Sequence, residues 1–121
     1  MDKAELEART KGFALRVIKL VSSFPRSAAA DVLARQLVKS GTSIGANYRE
    51  ANRAESRNGF VHKIAIVEKE AAETQYWLDL CRDAGFGDRS SCETLLQGSG
   101  ELVAIFTTIG RTAKANLRNS Q

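Results

Sequence analysis

The sequence predicts an all-α protein, an up-down-up-down antiparallel four-helix bundle. Three observations carry that expectation. Four stretches place their apolar residues at spacings of three and four, the signature of one buried helical face. No stretch sustains the alternation of period two that a half-buried strand requires. Strong stop signals at Pro25, at Ser56-Arg57-Asn58-Gly59 and at Gly85 with Gly87 divide the four stretches and leave short connections. Short connections favour antiparallel neighbours, and heptad-like spacing favours crossing angles of about 20°.

The first helix is predicted from Lys3 to Ser23, with Leu6, Phe13, Val17, Leu20 and Phe24 on one face. Pro25 stops it, because proline disfavours the helical conformation in the residue before it. Ser27 or Asp31 can cap the second helix, predicted from Ala28 to Ala54. There Leu33, Leu37, Ile44, Tyr48 and Ala51 fall within a narrow arc, and Ser40, Gly41 and Gly45 at its edges allow close approach by another helix. The third helix is predicted from Asn58 to Asp83. Phe60, Ile64, Val67, Ala71, Thr74, Leu78 and Cys81 alternate threes and fours along it. The fourth begins near Ser90, which has capping-box spacing to Glu93. Its stripe is Leu95, Leu102, Phe106, Ile109, Ala113 and Leu117, and Gly98-Ser99-Gly100 predicts a kink or a short leading turn.

Composition narrows the class. The chain has 121 residues, 43% of them apolar, which suits a single domain over 1–121 with one core. The longest uncharged runs, such as Leu102 to Gly110, are too short and polar to span a bilayer. The charged start, Met1-Asp2-Lys3-Ala4-Glu5, leads into no apolar signal segment, so the expected location is cytoplasmic. In that compartment a Cys81–Cys92 disulfide is not expected. Cys81 lies on the apolar stripe and reads as a buried thiol. The cysteine spacing, with one distant histidine, fits no zinc site.

The net charge is +4, unevenly spread. Residues 35–69 carry seven basic and three acidic groups, whereas residues 70–121 carry five basic and seven acidic. On the second helix, Arg35, Lys39, Arg49, Arg53 and Arg57 fall near one line opposite the core face, if the helix stays straight. That line would be about 30 Å long at about 1.5 Å per residue. It reads as a phosphate-backbone track for RNA or DNA, or as a solvated face whose arginines pair with Glu50 or a neighbour. No aromatic residue interleaves it, which argues against base stacking. Arg111, Lys114 and Arg118 form a smaller patch near the end of the fourth helix, where the dipole favours cations.

The third helix carries a second stripe away from its core face: His62, Ile66, Lys69, Glu73, Tyr76, Trp77 and Leu80. Aromatic residues are enriched where proteins meet, so the stripe reads as an oligomer interface. The other reading is a wide core arc with a half-exposed Trp77.

Nothing in the sequence has the pattern of a catalytic site. It has one histidine, no phosphate-cradling glycine loop, no nucleophile elbow and no paired-histidine metal motif. His62 is not placed for a di-iron Glu-x-x-His motif. Thr74 and Asn47, polar residues on or near core faces, are expected to hydrogen-bond to backbone or across helices. The expectation is no enzyme, no cofactor and no metal.

Several motifs, taken in order, resemble a known family. They are Phe24-Pro25; Ser43-Ile44-Gly45-Ala46-Asn47-Tyr48-Arg49-Glu50-Ala51; Phe60 through Lys63; and Lys69-Glu70-Ala71 through Trp77-Leu78. The ordered set, spanning about Phe13 to Leu117, resembles the small bacterial four-helix bundle proteins, also called 23S ribosomal RNA intervening-sequence proteins. This resemblance implies a four-helix bundle assembled as a ring-shaped homopentamer. It also implies similarity to the accessory protein of diversity-generating retroelements, a basic pentameric barrel that binds nucleic acid and a reverse transcriptase. Two functional expectations follow. One is a non-enzymatic homo-oligomer that binds RNA or DNA through the second helix. The alternative is a scaffold for a protein partner that binds no nucleic acid.

Overall fold

The computed structural model describes residues 1–119, and its secondary structure is four helices: α1 (Lys3–Val21), α2 (Ala28–Asn52), α3 (Arg57–Ala84) and α4 (Arg89–Asn119). No strand occurs among the described residues. Each helix starts where a side chain can satisfy a free backbone N–H. Asp2 accepts from the Glu5 amide, Ser27 from Ala30, Ser56 from Gly59 and Asp88 from Ser91. The cap of α4 is thus Asp88, two residues before the expected Ser90. A carboxylate there takes both the Ser91 amide and the Ser91 hydroxyl. The end of α3 is a Schellman motif: Gly85 adopts φ 75°, its amide donates to the Arg82 carbonyl, and the Phe86 amide donates to Cys81.

Consecutive helices run antiparallel. Thr10 meets Gly45 while Val17 meets Gly41. Glu50 pairs with Lys63 across α2 and α3, and Thr107 donates to Glu68 across α3 and α4. Arg9 with Glu101 and the Asp88 amide donating to Ser23 Oγ tie α4 to α1. The core between them contains Phe13, Val17, Leu37, Ile44, Ile64, Leu78, Leu102 and Phe106, all essentially inaccessible to water. Tyr48 sets its ring edge against Phe106 at 5.2 Å. Four polar side chains are buried among them. Thr10, Ser40, Thr74 and Ser99 each donate to a carbonyl of their own helix, so none enters the core unpaired. Asn47 likewise donates to the Ser43 carbonyl.

Helix α4 is continuous through Gly98-Ser99-Gly100, so no separate leading turn precedes it there. The small residues serve packing instead. A Cβ at Gly98 would lie 3.6 Å from Phe13, one at Gly100 would lie 3.4 Å from Gln75, and Ser99 is buried between them. Helix α4 has 31 residues and α1 has 19. At about 1.5 Å per residue their lengths are about 45 and 28 Å. The last turns of α4 therefore run past the start of α1, alongside the α2–α3 turn.

Candidate nucleic-acid interface and association face

The basic line of the second helix is shorter than a straight helix would make it. Helix α2 ends at Asn52. Arg53 is its C-cap residue, at φ −105° and ψ 5°, and Arg57 is already the first residue of α3. Only Arg35, Lys39 and Arg49 remain on α2, all exposed. Uncharged Thr42 and Ala46 separate Lys39 from Arg49. Arg49 is also partly engaged: its guanidinium is 4.0 Å from Glu7, which accepts a 3.0 Å hydrogen bond from Asn52. Glu50 does not serve the stripe, because it pairs with Lys63 at 3.6 Å.

What the turn removes from the helix-two line, it adds to the end of the bundle. Arg57 lines a cleft of about 740 Å³ together with Ala54, Phe60, Val61, Ala113 and Asn116. The α2–α3 turn and the last turns of α4 thus share one surface. Arg53, Arg57, Arg111, Lys114 and Arg118 are all exposed; of these Arg57 lines the cleft, whereas helical spacing puts Arg111, Lys114 and Arg118 on the flank of α4 away from the cleft-lining Ala113 and Asn116. None of the five is in an ion pair among the described residues. Glu55 is the acidic residue lining the cleft. The sequence carries these cations as two separate patches, and the long α4 takes its own patch to the end of the bundle where the α2–α3 turn lies.

The second stripe of α3 divides by burial. Tyr76 is 58% exposed, and His62 and Lys69 are exposed too. Ile66, Glu73, Trp77 and Leu80 are half-buried. Trp77 packs against the core, with its ring 5.2 Å from Tyr76 in an edge-on contact. Its indole N–H is buried without an acceptor. Glu70 beside this stripe has its carboxyl pKa raised, mainly by burial and then by Glu73, against the opposing pull of Lys69 and Lys39.

A further apolar surface lies on α1, where the sequence carried no expectation. Leu15 is 57% and Ile18 48% exposed. Lys11, Ala14, Leu15 and Ile18 have helical spacing along the flank opposite the core, a pattern legible once the core face is fixed.

No group of three or more His, Cys, Asp or Glu side chains that could hold a metal occurs among the described residues. Cys81 and Cys92 are buried free thiols. Burial pushes the Cys81 thiol up to about 11, with Cys92 adding to the effect. No helix among the described residues is long and apolar enough to cross a membrane.

Comparison with known proteins bears on the fold and the family. No curated protein matches the chain. A solved structure from Bacteroides thetaiotaomicron VPI-5482, described as a protein of unknown function from the S23 ribosomal protein family, is 34% identical. The match covers 92% of this chain and 99% of that one, with a TM-score of 0.82. The family model described as 23S rRNA-intervening sequence protein matches residues 3–108. That span takes in all of α1, α2 and α3 and most of α4, and the chain belongs to the 23S rRNA-intervening sequence protein family.

Proposed function

We propose that the chain is a non-enzymatic, self-associating bundle that holds the phosphate backbone of RNA or DNA at its turn end. The observation that carries this reading is the set of five exposed cations, Arg53, Arg57, Arg111, Lys114 and Arg118, none of them neutralised by an ion pair among the described residues. Two elements distant in sequence, the α2–α3 turn and the last turns of α4, present them at one end of the bundle. Such a surface attracts polyanions and contacts phosphates without reading sequence. Arg49 extends it toward Arg35 and Lys39.

Self-association is supported by Tyr76, a large aromatic residue more than half exposed on the outer face of α3 and flanked by Leu80. A ring of five copies is what the family resemblance implies. Repetition of the basic end in an oligomer would multiply weak phosphate contacts into avidity.

The test is the double charge reversal Arg53→Glu with Arg57→Glu. Both side chains are exposed, so helicity and thermal stability should stay close to wild type. Binding to labelled oligonucleotides should be lost. Undiminished binding by a folded double variant would remove this assignment and leave a protein-interaction scaffold as the reading.

A further inference from the structure

We infer that the cleft at the α2–α3 turn takes an unpaired base, so that the chain holds single-stranded RNA or DNA in preference to duplex. This rests on the phosphate binding proposed above and names the form of nucleic acid that the same end of the bundle accepts.

A phosphate group needs cations but no cavity. Yet the turn end carries a cleft of about 740 Å³, within the range of about 300–1,000 Å³ in which small organic ligands sit. Its walls are mixed. Ala54, Phe60, Val61 and Ala113 supply apolar surface, whereas Glu55 and Arg57 supply one charge of each sign. Apolar walls with no net formal charge suit the uncharged part of a nucleotide, its base, because withdrawing a charged phosphate from water is costly. The phosphates can stay outside, near Arg53, which is exposed and precedes the cleft-lining Ala54.

Phe60 is the platform for the base. It packs against the core, is half-buried, and lines the cleft. A ring held by the core loses little freedom when a base stacks on it. The second-helix line, had it stayed straight, would carry no aromatic residue. Because α2 ends at Asn52, Arg57 instead opens α3, three residues before Phe60 and on the same side of the helix. One turn of α3 therefore offers a guanidinium for phosphate and a ring for the base of the same strand. From α4, Asn116 lines the cleft and is exposed. Its carboxamide both donates and accepts, so it can meet the polar edge of any base. Stacking is equally tolerant, since every base has a π-face.

Duplex lacks what this cleft takes. Its bases are paired and stacked inside, and one reaches a protein cleft only by leaving the stack. Cations alone would give the opposite preference. Duplex DNA carries one negative charge per about 1.7 Å of axis, about twice the density of one of its strands, so a purely cationic surface favours duplex. The relative affinity for the two forms thus separates a base cleft from a phosphate surface.

The experiment titrates the full chain by fluorescence anisotropy with three labelled DNA probes of one length, then with their RNA counterparts. The probes are a single strand of mixed sequence, the same strand paired to its complement, and an abasic strand that keeps sugars and phosphates. The base-bearing single strand should bind about 5- to 150-fold tighter than the abasic strand, and tighter than the duplex at equal salt. Both single strands should give the same slope of log affinity against log salt, because a base carries no charge. Phe60→Leu keeps an apolar side chain against the core and removes the aromatic face. It should lower the affinity for the base-bearing strand to that for the abasic one, with slope and helicity unchanged. The wild-type comparison decides the matter even where the variant is unstable. If no probe binds at low salt, the phosphate surface and the base cleft fall together. If abasic and base-bearing strands bind alike and weaken steeply with salt, the phosphate surface stands and the base cleft is wrong. Duplex binding as tight as single-strand binding, or a folded Phe60→Leu variant that keeps the preference for bases, also overturns the cleft assignment.

Discussion

Gly41 lies directly against Val17: a Cβ at position 41 would sit 3.1 Å from Val17 Cγ2 and 3.2 Å from Cγ1. The same holds one turn on, where a Cβ at Gly45 would meet Thr10 Oγ1 at 3.1 Å. Both contacts keep α1 close to α2. Val17 is β-branched and fully buried, so it has little freedom to yield. Gly41→Leu and Gly45→Leu should each destabilise the fold by about 1–3 kcal/mol, read as a lower urea midpoint. Gly12 is the control. It lies within α1, and a methyl group added there would meet nothing within 4 Å, so Gly12→Ala should stabilise by about 1 kcal/mol through helix propensity.

The capping serines should register separately from packing. Ser27→Ala and Ser56→Ala each leave a first-turn amide without its acceptor, and each should cost about 1 kcal/mol in thermal or denaturant unfolding. Replacement by Asp should restore most of that loss, since a carboxylate accepts the same bond and suits the helix N-terminus.

Asp88 adds a pH signature. Its carboxyl pKa is held below the usual range, first by the Ser91 hydroxyl and then by the Ser91 amide. A depressed folded pKa means the native state holds the charged form more strongly than the unfolded chain does. That stabilisation is complete above the ordinary Asp range and is lost as pH falls through the lowered folded value. Comparing Asp88→Asn with wild type across acidic pH by urea titration should show a shallower acid loss in the variant. Parallel curves would show that the Ser91 contacts do not matter in solution.

Cys81 gives the opposite signature at high pH. Burial first, and Cys92 second, raise its thiol to about 11 from an ordinary 9.0. The unfolded chain ionises earlier, so this contribution is full below pH 9.0 and is lost as pH rises toward 11. Neither thiol should react with a disulfide reagent in the native protein at neutral pH, and both should react in denaturant. Rapid native labelling would contradict their burial.

Much of this fold was legible because local signals agreed. Pro25 with Ser27, Ser56, and Gly85 mark boundaries that the structure keeps within about two residues, as capping chemistry usually allows. The departures have physical causes. Gly98-Ser99-Gly100 suggests a kink or a short leading turn on propensity, but no separate turn forms: α4 is continuous there and Ser99 is buried. The basic line requires a helix that stays straight through residue 57, whereas α2 ends at Asn52 and sends Arg53 and Arg57 to the end of the bundle. Leu15 and Ile18 give no clear signal on their own, because isolated apolar residues on an outer helical flank are common. Trp77, read with Tyr76 as one surface, is split from it by burial against the core.

Fluorescence anisotropy with labelled single- and double-stranded RNA and DNA across a salt series tests the basic end most directly. The protein's mass should be verified in the same buffer. If about four phosphates are neutralised, log affinity should fall against log salt with a slope of about −3 to −4 per site, with little dependence on base sequence. A well-formed protein that binds none of the four probes at low salt would contradict phosphate binding and leave Arg53, Arg57, Arg111, Lys114 and Arg118 as a solvated surface.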